Sequence, residues 1–382
     1  MNRLLFYCHN VYGLGHVVRS LRIAEAALET APCETAVITG CRFLDAVPRD
    51  ARIRVERLPA VTVGRGGGFQ AAEPGVGGDV IAQRARAIRA FVEEWRPDVV
   101  LVDHHPFGLG GELVETLTAA AEGRLTARFV WGIPYSEGGA YSLRRPGNPR
   151  LSRALHQYVL ALGYTDPCWI DAFAGYRDYG LPPRCENVGF VIGRLPAHRP
   201  PRLPRIVALC GGGAGAETFF RLLLAATETL DHTTRPRLRL VIGPFGDRGA
   251  VARLARGRSH VEIWPDGAAE AAMADGDMLV ARAGYNTAFT AVASPLPVCF
   301  VPYRTVDEEQ TNRARRLARL ENVWVVAEDD ADAPRALAAA LGAGLRAGPA
   351  ARDLPFWTDG AEVAARHLLS LTGLGVVPCG VC

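Results

Sequence analysis

The 382-residue sequence has no apolar run long enough to span a bilayer, and its opening "RLLFYC" is cut short by His9 and Asn10, so it does not form the apolar core of a signal peptide. A cytoplasmic location is the resulting expectation. The nine cysteines lack the even spacing of a disulfide framework and are expected to be reduced. Cys379 and Cys382 in "CGVC" have no second pair or CxxH to complete a zinc site. With 43 basic and 40 acidic side chains the net charge is only +3, too weak a field to gather nucleic acid. Local clusters such as Arg84, Arg86 and Arg89 read as the solvated face of a helix.

What is present is the composition of a globular protein, 49% hydrophobic and 22% charged. The length suits two domains of roughly 150 to 200 residues each. Apolar runs of four to six residues alternate with segments of helical period, the pattern of an α/β protein whose parallel sheets are covered by helices. Strands are expected at 4–7, 35–38, 53–58, 99–102, 129–131 and 159–162. The pattern then repeats at 206–210, 238–242, 261–263, 278–280, 298–301 and 323–326. Between the halves, the prolines of "RLPAHRPPRLPR" forbid helix and read as an extended linker. The expected domains are therefore 1–193 and 206–356, joined by 194–205 and followed by 357–382, which carries an amphipathic helix at about 360–371. The stretch "GRGGGFQAAEPGVGGD", residues 64–79, is too rich in glycine for an element and reads as a loop at a ligand mouth.

Three strand-to-helix junctions carry the chemistry. In "FYCHNVYGLGHVVRSLRIAEAAL", Val17, Leu21, Ala24 and Leu28 keep helical spacing, so a helix starts beside His16. The GxGxxG spacing from Gly13 and Gly15 reaches Val18 instead of glycine, and Gly40 and Cys41 stand where an acidic ribose ligand would end the second strand. A nicotinamide or flavin cofactor is therefore not expected. His16 either caps the turn or takes a proton near neutral pH. In "IVALCGGGAGAETFF", Gly211, Gly212, Gly213 and Gly215 either make a tight turn or let backbone N–H groups approach an anion; no Lys-Ser/Thr pair follows, so this is not a P-loop. In "MLVARAGYNTAFTAVAS" a strand ends at Arg282, and Gly284, Tyr285, Asn286 and Thr287 either cap a helix or offer N–H donors to a diphosphate.

Two further segments flank these junctions. Glu309 and Gln310 open a charged helix, where they either face solvent or bond vicinal hydroxyls. In "VVLVDHHPFG", Asp103 can orient an imidazole. Two adjacent histidines do not easily share a metal within a strand-end turn and HExxH is absent, so no metal site is expected at His104 and His105. The acidic "EDDAD" at 328–332 reads as helix N-terminal charge.

"GLGHVVRSLRIAEA", "RPDVVLVDHHPFGLGGEL", "LCGGGAGAE", "RAGYNTAFTAVAS" and "VPYRTVDEEQTNRARRLARL" together resemble the GT-B glycosyltransferases of family 28, the family of the peptidoglycan N-acetylglucosaminyltransferase. The resemblance is closer to a branch known as predicted glycosyltransferases. It implies two facing Rossmann-like domains, an acceptor site on the first, a nucleotide-sugar site on the second, and a last helix crossing back to the first. It puts His16 at the catalytic base or acceptor-diphosphate contact, Gly284 to Thr287 at the donor phosphates, and Glu309 with Gln310 at the donor sugar. Two positions depart from the family: Thr290 stands where a glutamate usually holds the ribose, and Arg313 where the peptidoglycan enzyme has asparagine.

These readings converge on inverting, metal-independent transfer from a nucleoside-diphosphate sugar such as a UDP- or dTDP-sugar, with His16 as base oriented by Asp103. A nucleotide-sugar hydrolase, a 2-epimerase and a non-catalytic binder are the alternatives. Gly13, Gly15, His104, Tyr135 and Arg144 are the candidate contacts of a small-molecule or lipid-phosphate acceptor.

Overall fold

The computed structural model describes all residues except 12, 65–66, 74–77, 135–153, 231–234, 305–307 and 375–382, and the side chains of 177–179. The chain divides into two compact units: 1–45, 49–192 and 355–382 form the first, and 46–48 with 193–354 the second.

In the first unit β1 (Asn2–Cys8) leads into α1 (Gly15–Thr30), then β2 (Cys33–Thr39) and β3 (Arg54–Arg57). A hairpin of β4 (Val61–Val63) and β5 (Phe69–Ala71) precedes α2 (Val80–Trp95), β6 (Val99–Asp103), α3 (Val114–Ala121), β7 (Arg128–Pro134), β8 (Tyr158–Tyr164) and β9 (Cys185–Asn187). The main sheet runs β3-β2-β1-β6-β7-β8-β9, all parallel. Buried on both faces, its inner strands β1, β2, β6, β7 and β8 read as apolar runs, which is why they are visible in the sequence. Strand order reverses between β1 and β6, the switch point where open α/β sheets bind ligands.

The second unit repeats this plan. β10 (Arg205–Leu209), α4 (Ala216–Glu228), β11 (Arg237–Val241), α5 (Arg248–Ala255), β12 (Val261–Trp264), α6 (Ala269–Met273) and β13 (Met278–Ala281) are followed by α7 (Tyr285–Ala293), β14 (Val298–Phe300), α8 (Glu309–Leu317), β15 (Val323–Val325) and α9 (Ala333–Ala347). The parallel order is β12-β11-β10-β13-β14-β15, with its switch point between β10 and β13. The last helix, α10 (Gly360–Leu371), returns to the first unit and packs on α1. Ala364, Leu368 and Leu369 are buried there, and each leucine contributes about 1.5–3 kcal/mol by leaving water.

Two expectations are corrected here and one is extended. Part of the glycine-rich stretch is a strand: β5 pairs antiparallel with β4, and Phe69 and Ala71 pack against Val61, Val80 and Leu109. The proline-rich segment holds no helix or strand over 194–204, and it is tethered within the second unit: the Arg199 N–H donates to Ala274 O at 2.7 Å and His198 Nε2 bonds Gly276 O at 2.8 Å. Arg84 is not on a solvated face. It is fully buried and clamps Glu112, with Nε to Oε2 at 2.5 Å, while Tyr7 bonds the same carboxylate. Arg86 is exposed, and Arg89 pairs with Glu93 one turn away on the same helix.

Candidate functional site

Register builds the first-unit site. Cys8 lies beside Asp103 across the β1–β6 pair, so the residues that leave the two strands, His9 and His104, emerge side by side at the switch point. Asn10 donates from Nδ2 to Gly13 O at 2.7 Å, and Gly13 takes φ +74°, closing the turn that starts α1. His16 is then in the helix's first turn, 22% exposed, with Nδ1 2.5 Å from Asp103 Oδ2.

Asp103 itself is buried and held from its other side by Arg19, with Nε to Oδ1 at 2.9 Å and Nη2 to Oδ2 at 2.8 Å. Burial alone would push the Asp103 carboxyl up, but Arg19 and His16 beside it hold it below the usual carboxylate range. Arg19 also stacks on the Tyr164 ring at 4.9 Å. The sequence reading passed over Arg19, although its i,i+3 spacing from His16 puts the two on one helix face.

Three more imidazoles surround this pair. Ring centroids lie 4.2 Å apart for His9 and His16, 4.4 Å for His9 and His105, and 4.2 Å for His104 and His105. His16 and His104 stack at 5.2 Å. Burial, reinforced by the neighbouring imidazoles, lowers His9 and His104 well below the ordinary histidine value and His105 to about 4. His104 holds φ +70°, rare for a residue with a side chain, and both its backbone groups are fixed: its N–H donates to Gly132 O and its carbonyl accepts from Trp131 Nε1.

The second-unit site is built from backbone. Leu209 pairs with Ala281, so the glycine loop after β10 and the turn after β13 meet at that switch point. A Cβ on Gly211 would come within 3.4 Å of Thr287 Oγ1, whereas one on Gly284 would meet nothing within 4 Å. Gly213 has no such latitude, because at φ +105° its Cβ would sit 2.4 Å from the Gly246 nitrogen. Gly284 caps α7 without any side-chain hydrogen bond, so the helix's positive end is not closed by a capping side chain.

Residues 206–351 match the model of the glycosyltransferase family 28 C-terminal domain. Over 129 residues the chain is 31% identical to the UDP-N-acetylglucosamine--N-acetylmuramyl-(pentapeptide) pyrophosphoryl-undecaprenol N-acetylglucosamine transferase of Bartonella henselae, a match covering 33% of this chain and 34% of that protein. The chain thus spans about a third of the length of that curated relative. Similar solved structures include MurG of Acinetobacter baumannii, at TM-score 0.53 and 15% identity over 98% of this chain and 99% of that one. The glycosyltransferase SnogD of Streptomyces nogalater gives TM-score 0.56 and 19% identity over 99% and 97%. The glycosyltransferase VinC, solved with dTDP, gives 0.56 and 14% over 97% and 95%. The chain has the GT-B fold, and its residues 206–351 are similar to the family 28 C-terminal domain.

Within this GT-B chain several expected donor contacts prove to be occupied by structural bonds. Thr290 does not face a ribose: it is 3% exposed, and its hydroxyl accepts the Gly193 N–H at 3.1 Å. Arg282 is buried, pairs with Glu328 at 2.9 Å and donates to Gly215 O and Val301 O, so it braces the two loops instead of reaching a ligand. Gln310 Oε1 accepts from the Ala283 and Tyr303 N–H groups, both at 3.1 Å. Arg313 pairs with Glu309 and donates from Nη1 to Ala283 O at 2.7 Å. Gln310 and Arg313 therefore clamp both backbone groups of Ala283 and fix the turn that aims Gly284 and α7. Tyr285 and Asn286 occupy α7's first turn. Gly15 opens α1, and Gly212 lies in the loop before α4 with its carbonyl accepting from the Phe245 N–H. Tyr135 and Arg144 lie outside the described residues, as do Cys379 and Cys382. The seven described cysteines are free thiols. Among the described residues no helix is long and apolar enough to cross a membrane.

Proposed function

We propose that this protein transfers a sugar from a nucleoside-diphosphate sugar to an acceptor hydroxyl, with inversion and without a metal at the diphosphate. The observation that carries the reading is the His16–Asp103–Arg19 array at the β1–β6 switch point. A buried carboxylate accepts from His16 Nδ1. That fixes the tautomer and leaves Nε2 as the ring nitrogen for the acceptor's proton. Arg19 keeps Asp103 ionised, so Asp103 can stabilise the imidazolium that forms.

The acceptor oxygen then bonds the anomeric carbon as the bond to the diphosphate breaks, and a single displacement of this kind inverts that carbon. The leaving diphosphate takes up negative charge, and the first-turn N–H groups of α7 with the glycine loop 211–215 are the donors suited to it. The role a divalent cation often plays at such phosphates is thereby given to fixed backbone dipoles. His104, Gly13 and Gly15 border the acceptor side of His16. The named functions of the similar proteins, one a transferase onto a pyrophosphoryl-lipid and one solved with dTDP, agree with a nucleotide-sugar donor and a small-molecule or lipid-linked acceptor.

The reading is tested by a thermal-shift screen across UDP-, dTDP- and GDP-sugars, followed by product analysis. A donor at 100 times its Kd adds about 2.7 kcal/mol of stability. A glycoside of inverted configuration is the expected product. Free sugar formed without acceptor dependence, or an epimerised donor, would replace the proposal with hydrolysis or epimerisation.

A further inference from the structure

The His16–Asp103 pair accounts for one imidazole of four; the proposed transfer leaves His9 and His105 without a task and His104 with only a bordering one. We propose that His9, His104 and His105 form a binding site for one divalent transition-metal ion of the imidazole-preferring class, with Zn²⁺ as its representative.

Four observations support the site. Each residue offers one ring nitrogen, and all three nitrogens lie within 4.8 Å of one another. Tetrahedral zinc with Zn–N bonds of about 2.0–2.1 Å needs nitrogens roughly 3.3 Å apart, so small ring rotations close the set. The Nδ1 atoms of His9 and His104 are buried and have no hydrogen-bond partner. A buried polar atom left unpaired costs about 1–3 kcal/mol, a cost that a metal–nitrogen bond removes. The His9 ring is hydrogen-bonded to the backbone of Asp103, the kind of carbonyl anchor that orients a ligating histidine. The left-handed backbone of His104, fixed by Gly132 and Trp131, turns its ring toward His105 and His9.

The ligands come from two strands, His9 after β1 and His104 with His105 after β6, so the folded switch point is required to assemble them. Three imidazoles leave a fourth position for water, as in open zinc sites. The site stands apart from the transfer reading, because it uses neither His16 nor the second unit.

The experiment uses untagged full-length protein stripped with a chelator and titrated with Co²⁺ and then Zn²⁺. The expected result is one equivalent of Co²⁺ with the strong visible bands of a four-coordinate, nitrogen-ligated ion, no near-ultraviolet thiolate charge transfer, and displacement by Zn²⁺. His9→Ala and His105→Ala should each weaken Zn²⁺ by more than the roughly 10- to 100-fold that loss of an outer-shell partner costs. His260→Ala, far along the second unit, should bind as wild type, and circular dichroism checks that each variant is folded. Absence of a stoichiometric Co²⁺ site in wild type, thiolate bands, or unchanged Zn²⁺ affinity in folded His9→Ala and His105→Ala would each overturn the proposal.

Discussion

The two switch points share one topology and differ in what lines them. At β1–β6 the strand ends present side chains: four imidazoles, a carboxylate and a guanidinium, the carboxylate and guanidinium buried. At β10–β13 they present backbone, with glycines at 211, 213, 215 and 284 and the side chains of Arg282, Gln310 and Arg313 turned to brace the loops. A side-chain site suits proton transfer, where the group must change charge. A backbone site suits a ligand whose charge is constant and needs fixed dipoles. In the proposed transfer, one fold, duplicated, separates the two tasks of the reaction.

The sharpest break of this comparison is Asp103→Asn, which removes the buried carboxylate and leaves the Arg19 charge in the core without that counter-ion. The expected loss is roughly 3–5 kcal/mol of stability, read by urea unfolding; a loss within 0.5 kcal/mol, the size of an ordinary surface change, would mean the pair is not buried as described. Gly284→Ala probes the other switch point and should separate stability from binding. Its Cβ meets nothing within 4 Å, so stability should hold, while a diphosphate approaching the turn should lose a contact worth about 1.5–3 kcal/mol, read as a weaker donor Kd by calorimetry. Unchanged donor affinity would move the diphosphate away from this helix.

Of the two switch points, acidification acts on the first. His9, His104 and His105 have depressed values in the fold and about 6.5 when unfolded, so below that pH the unfolded chain holds more protons and stability rises with pH. Their contribution is complete above about pH 6.5 and is lost as pH falls toward the folded values, about 4 for His105. Buried His9 adds up to about 1.4 kcal/mol per pH unit, the two part-exposed rings less. Melting temperatures at pH 7 and pH 5 in chelator should therefore diverge, and His9→Asn should narrow the gap; an unchanged gap would place the titration elsewhere. The smallest effect is expected from Thr290→Val, which removes the bond to Gly193 for about 1 kcal/mol and should leave donor affinity intact.

The strands of both sheets were legible because doubly covered parallel strands are uninterrupted apolar runs, as 99–102 and 278–280 show. The short edge strand β9 was not, since the polar sequence "CEN" has no apolar run to betray it. The pairing of His16 with Asp103 was also readable, because each residue ends a recognisable strand-to-helix junction. Thr290 was misread because spacing along a helix does not tell which face is turned to the chain's own Gly193. The fourfold histidine cluster escaped for a related reason: His9 and His104 are 95 positions apart in sequence and become neighbours only through the β1–β6 register.

The central claim is that His16 removes the acceptor's proton. It is tested most directly by the kcat of His16→Ala with a donor from the thermal-shift screen, measured beside donor Kd. General-base loss predicts a fall in kcat of about 100- to 10,000-fold with the Kd unchanged. Wild-type turnover by His16→Ala would contradict the account.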